Sequence, residues 1–231
     1  MIVMKVSVVI PVYNEERYIK NCLDSLMKQK EMPDEIIVVD NNCTDKTISI
    51  VKKFEGITVI QEKKQGISPA RNKGFNSAKY EIIARCDADS ILPDNWIKNI
   101  KETFSKNGQI VGFTSSIIFY DLPIINKSDL PSDIFHYVSK IILGFPSFVG
   151  PSMAIRKNIW SKVRNEICTN DKEVHEDIDL AIHIKKYGEI FFEPNVVVKI
   201  SGRRIKHNPL SFFLEYPLRL TKMLKMHRHL I

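Results

Sequence analysis

Residues 35–51 read EIIVVDNNCTDKTISIV. A β-branched run, Glu35–Val39, ends in a polar cluster, Asp40–Thr44, and a helical pattern continues from Asp45 to Phe54. A strand that leaves through a polar turn into a helix is half of a βαβ unit. The same unit repeats on both sides. Upstream, Val6–Pro11 is a short β-branched run, and Glu15–Gln29 carries Ile19, Cys22, Leu23 and Leu26 at helical spacing. Downstream, Ile57–Ile60 reads as a third strand, Pro69–Ala78 as a helix and Ile82–Cys86 as a fourth strand. This alternation predicts an α/β fold of Rossmann-like character, a mainly parallel sheet flanked by helices. Ligands bind such sheets beyond the carboxyl ends of the strands. Three polar clusters fall there: Pro11–Glu15, Asp40–Thr44 and Asp87–Ser90.

The second half is less regular. Trp96–Phe104, Ser132–Leu143 and His175–Tyr187 read as helices, and Ile110–Phe119 and Ile190–Ile200 as strands. Phe148–Arg156 reads as a loop entering a short strand. Pro209–Arg228 reads as a helical tail kinked at Pro217.

The chain has 231 residues, 44% hydrophobic and 26% charged, as expected of one sizeable globular domain. No apolar run is long enough for a transmembrane helix, and the opening MIVMKVSVVIPVYNEE carries no secretory pattern. Cys22, Cys43, Cys86 and Cys168 lack CxxC spacing, so they read as reduced thiols of a cytoplasmic protein. The net charge of +7 is concentrated. From Lys199 onward eight Lys/Arg meet one acid, which is +7, while the other 26 basic and 26 acidic side chains cancel. A neutral body with a cationic tail predicts an anionic partner at that end.

Several clusters carry two readings. Asp87-Ala88-Asp89 follows a strand, and residues i and i+2 of an extended segment point the same way. Such a pair is either an acidic turn or a site for a hard divalent cation. The Asp40–Asp45 segment is either a turn in which Thr44 or Asp45 caps the next helix, or a strand-end carboxylate aimed at a ligand. In Ser7–Glu16, Pro11 stops the strand and Asn14 is a candidate helix cap. Gly66–Gly74 opens a helix with Ser68 as N-cap, and Arg71 and Lys73 beside it suit either a phosphate or open water. Glu176 and Asp177 at a helix start either offset the helix dipole or include a general base.

Taken together and in order, these segments resemble glycosyltransferase family 2. VSVVIPVYNEERYI is similar to that family's opening strand and loop, and DEIIVVDNNCTDKT to its second motif, with Cys43 where serine is usual. GISPARNKGF resembles its ARN-x-G segment, RCDADS its DxD motif, GPSMAIRKNIW its acceptor-side motif and HEDIDL its ED motif. The resemblance spans Ser7 to about Leu180 and weakens after Gly202. It implies the GT-A fold and inverting transfer of a sugar from a nucleoside diphosphate donor. It further implies that Pro11, Tyr13 and Glu15 line the nucleotide pocket, that Asp40 contacts the base and that Arg71 lies beside the nucleotide. Asp87 and Asp89 would bracket ribose, diphosphate and a Mn²⁺ or Mg²⁺ ion, with Asp89 the more direct ligand. Asp177 would be the base, with Glu176 second, and Gly150, Ser152 and Met153 would belong to the acceptor side.

The expected organisation is a GT-A domain over residues 1–202, with a nucleotide-sugar half (1–119) and an acceptor half (120–202), followed by a basic amphipathic tail (203–231). The expected acceptor is a glycan or a lipid-linked molecule. Apolar residues of Ile134–Phe148 and the cationic tail would suit peripheral contact with an anionic membrane on its inner face; a terminal helix packed on the domain is the other reading. The rival activities are a sugar-nucleotide nucleotidyltransferase, which would carry a Gly-rich loop where Pro11–Glu16 stands, and a non-catalytic binding module. No recognised nucleic-acid motif is present.

Overall fold

The computed structural model describes residues 4–122, 130–208 and 215–227. Its first half alternates strictly: β1 (Val6–Val12), α1 (Ile19–Met27), β2 (Glu35–Asp40), α2 (Thr47–Val51), β3 (Ile57–Gln61), α3 (Ile67–Ser77) and β4 (Ile82–Arg85). There follow α4 (Trp96–Lys106), β5 (Ile110–Phe119), α5 (Leu130–Leu143), β6 (Met153–Arg156), α6 (Lys157–Val163), α7 (Glu176–Lys185), β7 (Glu189–Ile200), α8 (Arg203–His207) and α9 (Tyr216–Met226). The strands form one sheet in the order β3-β2-β1-β4-β6-β5-β7. β1 to β4 run parallel, β6 is antiparallel to both its neighbours, and β5 pairs parallel with β7.

β1 is buried along its whole length, so both of its faces must be apolar. Val8, Ile10 and Val12 enter one core with Leu23, Leu26, Trp96 and Phe104. Val9 enters the other with Ile37, Val39, Phe75 and Trp160. The period of two thus feeds two cores from one strand. α1 places Ile19, Cys22, Leu23 and Leu26 on its buried stripe, at the spacing read from the sequence. α3 lies almost on the sheet at Gly74, where a Cβ would come within 2.2 Å of Val9 Cγ1 and 2.9 Å of Val39 Cγ2.

Four local expectations are corrected. Pro11 does not stop β1, because Pro11 and Val12 still pair with Val39 and Asp40 of β2. Val12 accepts the Asn41 N–H, so alternation turns the missing Pro11 N–H toward β4, beyond the last pair, Val9–Arg85. Asn14 does not cap α1, which starts at Ile19; it adopts φ 54° and ties the β1 exit to the next loop. Ser68 lies inside α3, which begins at Ile67. Pro217 stands in the first turn of α9, where its missing N–H costs nothing, rather than at a kink.

The terminal helix packs on the domain. Met223 is fully buried in the second core, with Leu220 and Leu224 beside it. Phe212, Phe213, Leu214 and Arg228 lie outside the described residues. Among the described residues no helix is long and apolar enough to cross a membrane.

Gly74→Val should lower stability by about 1–3 kcal/mol through overpacking against Val9 and Val39. Urea unfolding would register this as a lower midpoint at unchanged slope.

Candidate active site

Three loops meet at the carboxyl edge of β1, β2 and β4, and they staple one another. Asn14 Oδ1 accepts the Thr44 N–H at 2.8 Å, and the Glu15 N–H donates to Thr47 Oγ1 at 2.6 Å. Asp45 accepts the N–H of Glu16 at 3.0 Å and that of Thr47, the first residue of α2, at 2.9 Å, while the N-cap position itself is Lys46. Asp40 Oδ1 accepts the Cys43 N–H at 2.8 Å, the turn-forming role. Asn41 reaches further: its Nδ2 donates to the carbonyls of Glu62 and Lys64 at 2.9 and 2.8 Å, and its Oδ1 accepts the Gly66 N–H at 2.9 Å. The start of α3 is fixed from there.

A cleft of about 750 Å³ opens against these loops, a volume suited to a small-molecule ligand. Pro11, Tyr13, Glu15, Asp87 and Asp89 line it from the strand ends. Gly150, Glu176 and Asp177 line it as well. Asp40 and Arg71 are not among the lining residues, and neither are Ser152 and Met153. Ser152 is buried, with its Oγ 2.9 Å from Trp96 Nε1 and 2.6 Å from Ser115 Oγ; Met153 is buried in β6.

Beneath the cleft lies a chain of buried charges. Arg71, fully buried, donates through Nη1 to Glu176 Oε2 at 2.5 Å and to the Glu176 carbonyl at 2.7 Å. Arg85 Nη1 donates to Glu176 Oε1, and Arg85 Nη2 donates to Asp87 Oδ1 at 2.7 Å. Burial alone would raise the Glu176 carboxyl, but Arg85 and then Arg71 outweigh it and hold it below the usual glutamate range. Asp177, one residue on, has a different environment. Burial and then the Glu176 charge push its carboxyl up to about 6. Its Oδ2 accepts the Gly150 N–H at 3.0 Å and its Oδ1 the Ile178 N–H at 2.9 Å. Gly150 has little choice of side chain, since a Cβ there would meet Arg85 Nη2 at 2.9 Å.

A second charge group surrounds Asp89. Burial first and the Asp87 charge second push Asp89 up to about 7, against the pull of Arg203. Arg203 forks onto Glu15, with Nη1 2.7 Å from Oε2 and Nη2 2.5 Å from Oε1. Its Nε lies 3.4 Å from Asp89 Oδ2, and its guanidinium stacks 4.6 Å over the Tyr18 ring. Glu15, Asp87 and Asp89 thus bring three carboxylates to one end of the cleft. All their donor atoms are oxygens, the set a Mg²⁺ or Mn²⁺ ion accepts.

Arg203 and Arg85 were not singled out in the sequence. Arg203 reaches Asp89 because β7 returns its end to the site: Ile91 and Lys199 exchange N–H···O bonds of 2.7 and 3.0 Å, four residues before Arg203. Arg85 did leave a signal, a cation closing the otherwise apolar strand Ile82–Arg85.

Residues 7–164 match the sequence profile of glycosyl transferase family 2, more than half of the chain. The chain belongs to that family. It is 33% identical over 100 residues to glycosyltransferase GlyA of Streptococcus pneumoniae, covering 42% of this chain and 14% of that protein. It is 37% identical over 141 residues to the poly(ribitol-phosphate) beta-glucosyltransferase of Bacillus spizizenii, covering 57% of this chain and 21% of the relative. The matches thus span a minor part of these relatives' own length. Among solved structures it is similar to the mannosyltransferase PcManGT from Pyrobaculum calidifontis in complex with GDP-Man and Mn²⁺, at TM-score 0.79 and 20% identity over 98% of this chain and 64% of that one. It is also similar to S. aureus TarS 1–349 in complex with UDP-GlcNAc, at TM-score 0.71 and 22% identity over 96% of this chain and 67% of that one. At these identities the likeness establishes the fold, the GT-A arrangement of a mostly parallel sheet flanked by helices.

Replacing Glu176 by Gln removes the negative charge shared by two buried guanidiniums. Loss of one partner in such a group costs about 3–5 kcal/mol. Chemical unfolding of Glu176→Gln should show that loss, with Arg71→Met/Arg85→Met/Glu176→Met recovering much of it.

Proposed function

We propose that this chain transfers a sugar from a nucleoside diphosphate sugar to an acceptor hydroxyl, with inversion at the anomeric carbon. The observation that carries the reading is one cleft holding two acid groups of different character. Glu15, Asp87 and Asp89 line it from the strand ends, and Asp177 lines it from the start of α7, held by the Gly150 N–H.

In this reading Pro11, Tyr13 and Glu15 bound the nucleotide, and Asp87 and Asp89 hold a divalent cation with the diphosphate. Such an ion offsets charge that develops on the departing nucleoside diphosphate. Arg203 adds a fixed positive charge on the same side. Asp40 and Arg71 act as positioning residues: Asp40 shapes the turn after β2, and Arg71 supports Glu176. Both Glu176 oxygens are engaged by arginines, so deprotonation of the acceptor falls to Asp177. Its raised pKa is favourable for a base, since a more basic carboxylate takes a proton more readily. The proton moves from the acceptor hydroxyl to Asp177 as the oxygen attacks the face opposite the leaving diphosphate. Residues 1–119 then form the donor half and 120–202 the acceptor half.

The acceptor in this reading is a glycan or a lipid-linked molecule met at an anionic membrane surface. Support comes from α5, whose Tyr137 and Ile141 are 68% and 67% exposed. Ile134, Val138 and Ile142 continue that apolar face, and the cationic segment from Arg203 onward supplies charge for anionic headgroups.

Asp177→Asn should retain donor binding and lose transfer by about 10²–10⁴-fold, read by calorimetry and a sugar-transfer assay on the same preparation. Transfer at the parental rate would exclude Asp177 as the base. Asp89→Ala should instead weaken nucleotide binding in Mn²⁺ and leave the weaker metal-free binding nearly unchanged. For the membrane contact, Tyr137→Ser/Ile141→Ser should reduce co-sedimentation with phosphatidylserine vesicles, and undiminished co-sedimentation would remove α5 from the account.

A further inference from the structure

One buried polar cluster has no part in the chemistry above. Asp179 and His183 stand one turn apart on α7, and His227 follows the last residue of α9. Asp179 is fully buried, and His183 and His227 are 5% and 6% exposed. One ligand atom from each lies within 4.8 Å of the other two.

The hydrogen bonds of this cluster are incomplete in a specific way. Asp179 Oδ2 accepts the Cys168 N–H at 3.0 Å, while Oδ1 has no hydrogen-bond partner. His227 Nε2 comes within 2.9 Å of Oδ1 and His183 Nδ1 within 3.8 Å, neither in hydrogen-bond geometry. His227 Nε2 and Asp179 Oδ1, close but not hydrogen-bonded, stand as two ligands of one ion can. An unpaired carboxylate oxygen at full burial is otherwise costly.

Nδ1 of each ring is already committed. His183 Nδ1 lies 2.8 Å from the Asp179 carbonyl and His227 Nδ1 2.9 Å from the Met223 carbonyl. A carbonyl only accepts, so both Nδ1 atoms carry protons, which leaves Nε2 of each ring as the atom able to bind a metal. A backbone carbonyl on the far nitrogen is the usual support of a metal-bound imidazole.

We propose that Asp179, His183 and His227 form a second metal site, distinct from the Asp87–Asp89 pair, that takes a zinc-like dication and pins α9 to α7. Two imidazole nitrogens and one carboxylate suit Zn²⁺ or Co²⁺ better than Mg²⁺ or Ca²⁺. Tetrahedral zinc sets its ligand atoms about 3.3 Å apart, so the 2.9 Å between His227 Nε2 and Asp179 Oδ1 would widen slightly and the wider spacings, up to 4.8 Å, would close. The fourth position is left to water. The role is structural. Besides Met223 and its apolar neighbours, α9 has an exposed ion pair, Lys222–Glu173 at 3.2 Å, and pairs of that kind add little. α9 also brings Arg219 to the cleft wall, so fixing the helix fixes that part of the site.

The test uses the full chain stripped with chelator, and its readout needs no sugar transfer. Equilibrium dialysis should return one Zn²⁺ per chain, and Co²⁺ in its place should give the visible absorption of a tetrahedral site. His183→Gln and His227→Gln keep a hydrogen-bonding side chain, and circular dichroism checks their fold. Both should bind at least about tenfold more weakly, the scale on which even a supporting partner of a metal ligand counts. Asp89→Ala should bind as the parent does. No stoichiometric uptake by the parent, equal uptake by both Gln variants, or loss of uptake in Asp89→Ala would each overturn the site.

Discussion

Glu176 gives one carboxylate oxygen to Arg85 and the other to Arg71, and the geometry of the cleft follows from that bond. The three residues belong to α7, β4 and α3, so a single buried carboxylate joins three elements that are distant in sequence. Burying two guanidiniums is tolerable only if the charge between them is met. Arg85 also binds Asp87, which connects the strand-end acids to the helix that carries Asp177. Asp177 shares this compensation only in part, since burial and the Glu176 charge outweigh the pull of Arg85 on it. It lies next to the Glu176 charge, satisfied by backbone N–H groups alone, and its proton affinity rises accordingly. One charge network thus creates two carboxylates with opposite tendencies on consecutive residues, and separates support from chemistry.

The sheet was legible because its inner strands β1, β2 and β4 had to bury two faces. β2 and β5 fall at Glu35–Asp40 and Ile110–Phe119, where β-branched runs announce them. The stripe of α1 was equally plain. The polar clusters after β1, β2 and β4 were readable as ligand-side loops because parallel strands end on a common edge. What failed was local capping chemistry. Asn14 and Ser68 are good caps in isolation, but each has a stronger partner across space: Asn14 in the Thr44 backbone and Ser68 in Asp171. A short polar side chain takes whichever backbone or acid the fold brings near, and sequence spacing alone does not reveal it.

The tail marks the other limit. Its charge was visible as an excess of cations, and the count assigned that excess to an external anion. The structure uses part of it internally. Arg203 meets Glu15, 188 residues away, because the Ile91–Lys199 bridge carries β7 back to the DxD turn. No local pattern encodes such a pairing. Met223, Leu220 and Leu224 likewise turn the terminal helix toward the second core, Lys222 pairs with Glu173, and the exposed Lys225 faces water or a surface.

The central claim is that the cleft between Glu15, Asp89 and Asp177 binds a sugar nucleotide with the help of a divalent ion. Thermal unfolding against a panel of sugar nucleotides, with and without Mn²⁺, tests it directly. The account predicts that one donor stabilises the chain in Mn²⁺, by about 2.7 kcal/mol at 100 times its dissociation constant, and far less without the ion. Unchanged unfolding with every donor, in Mn²⁺ and in its absence, would contradict it.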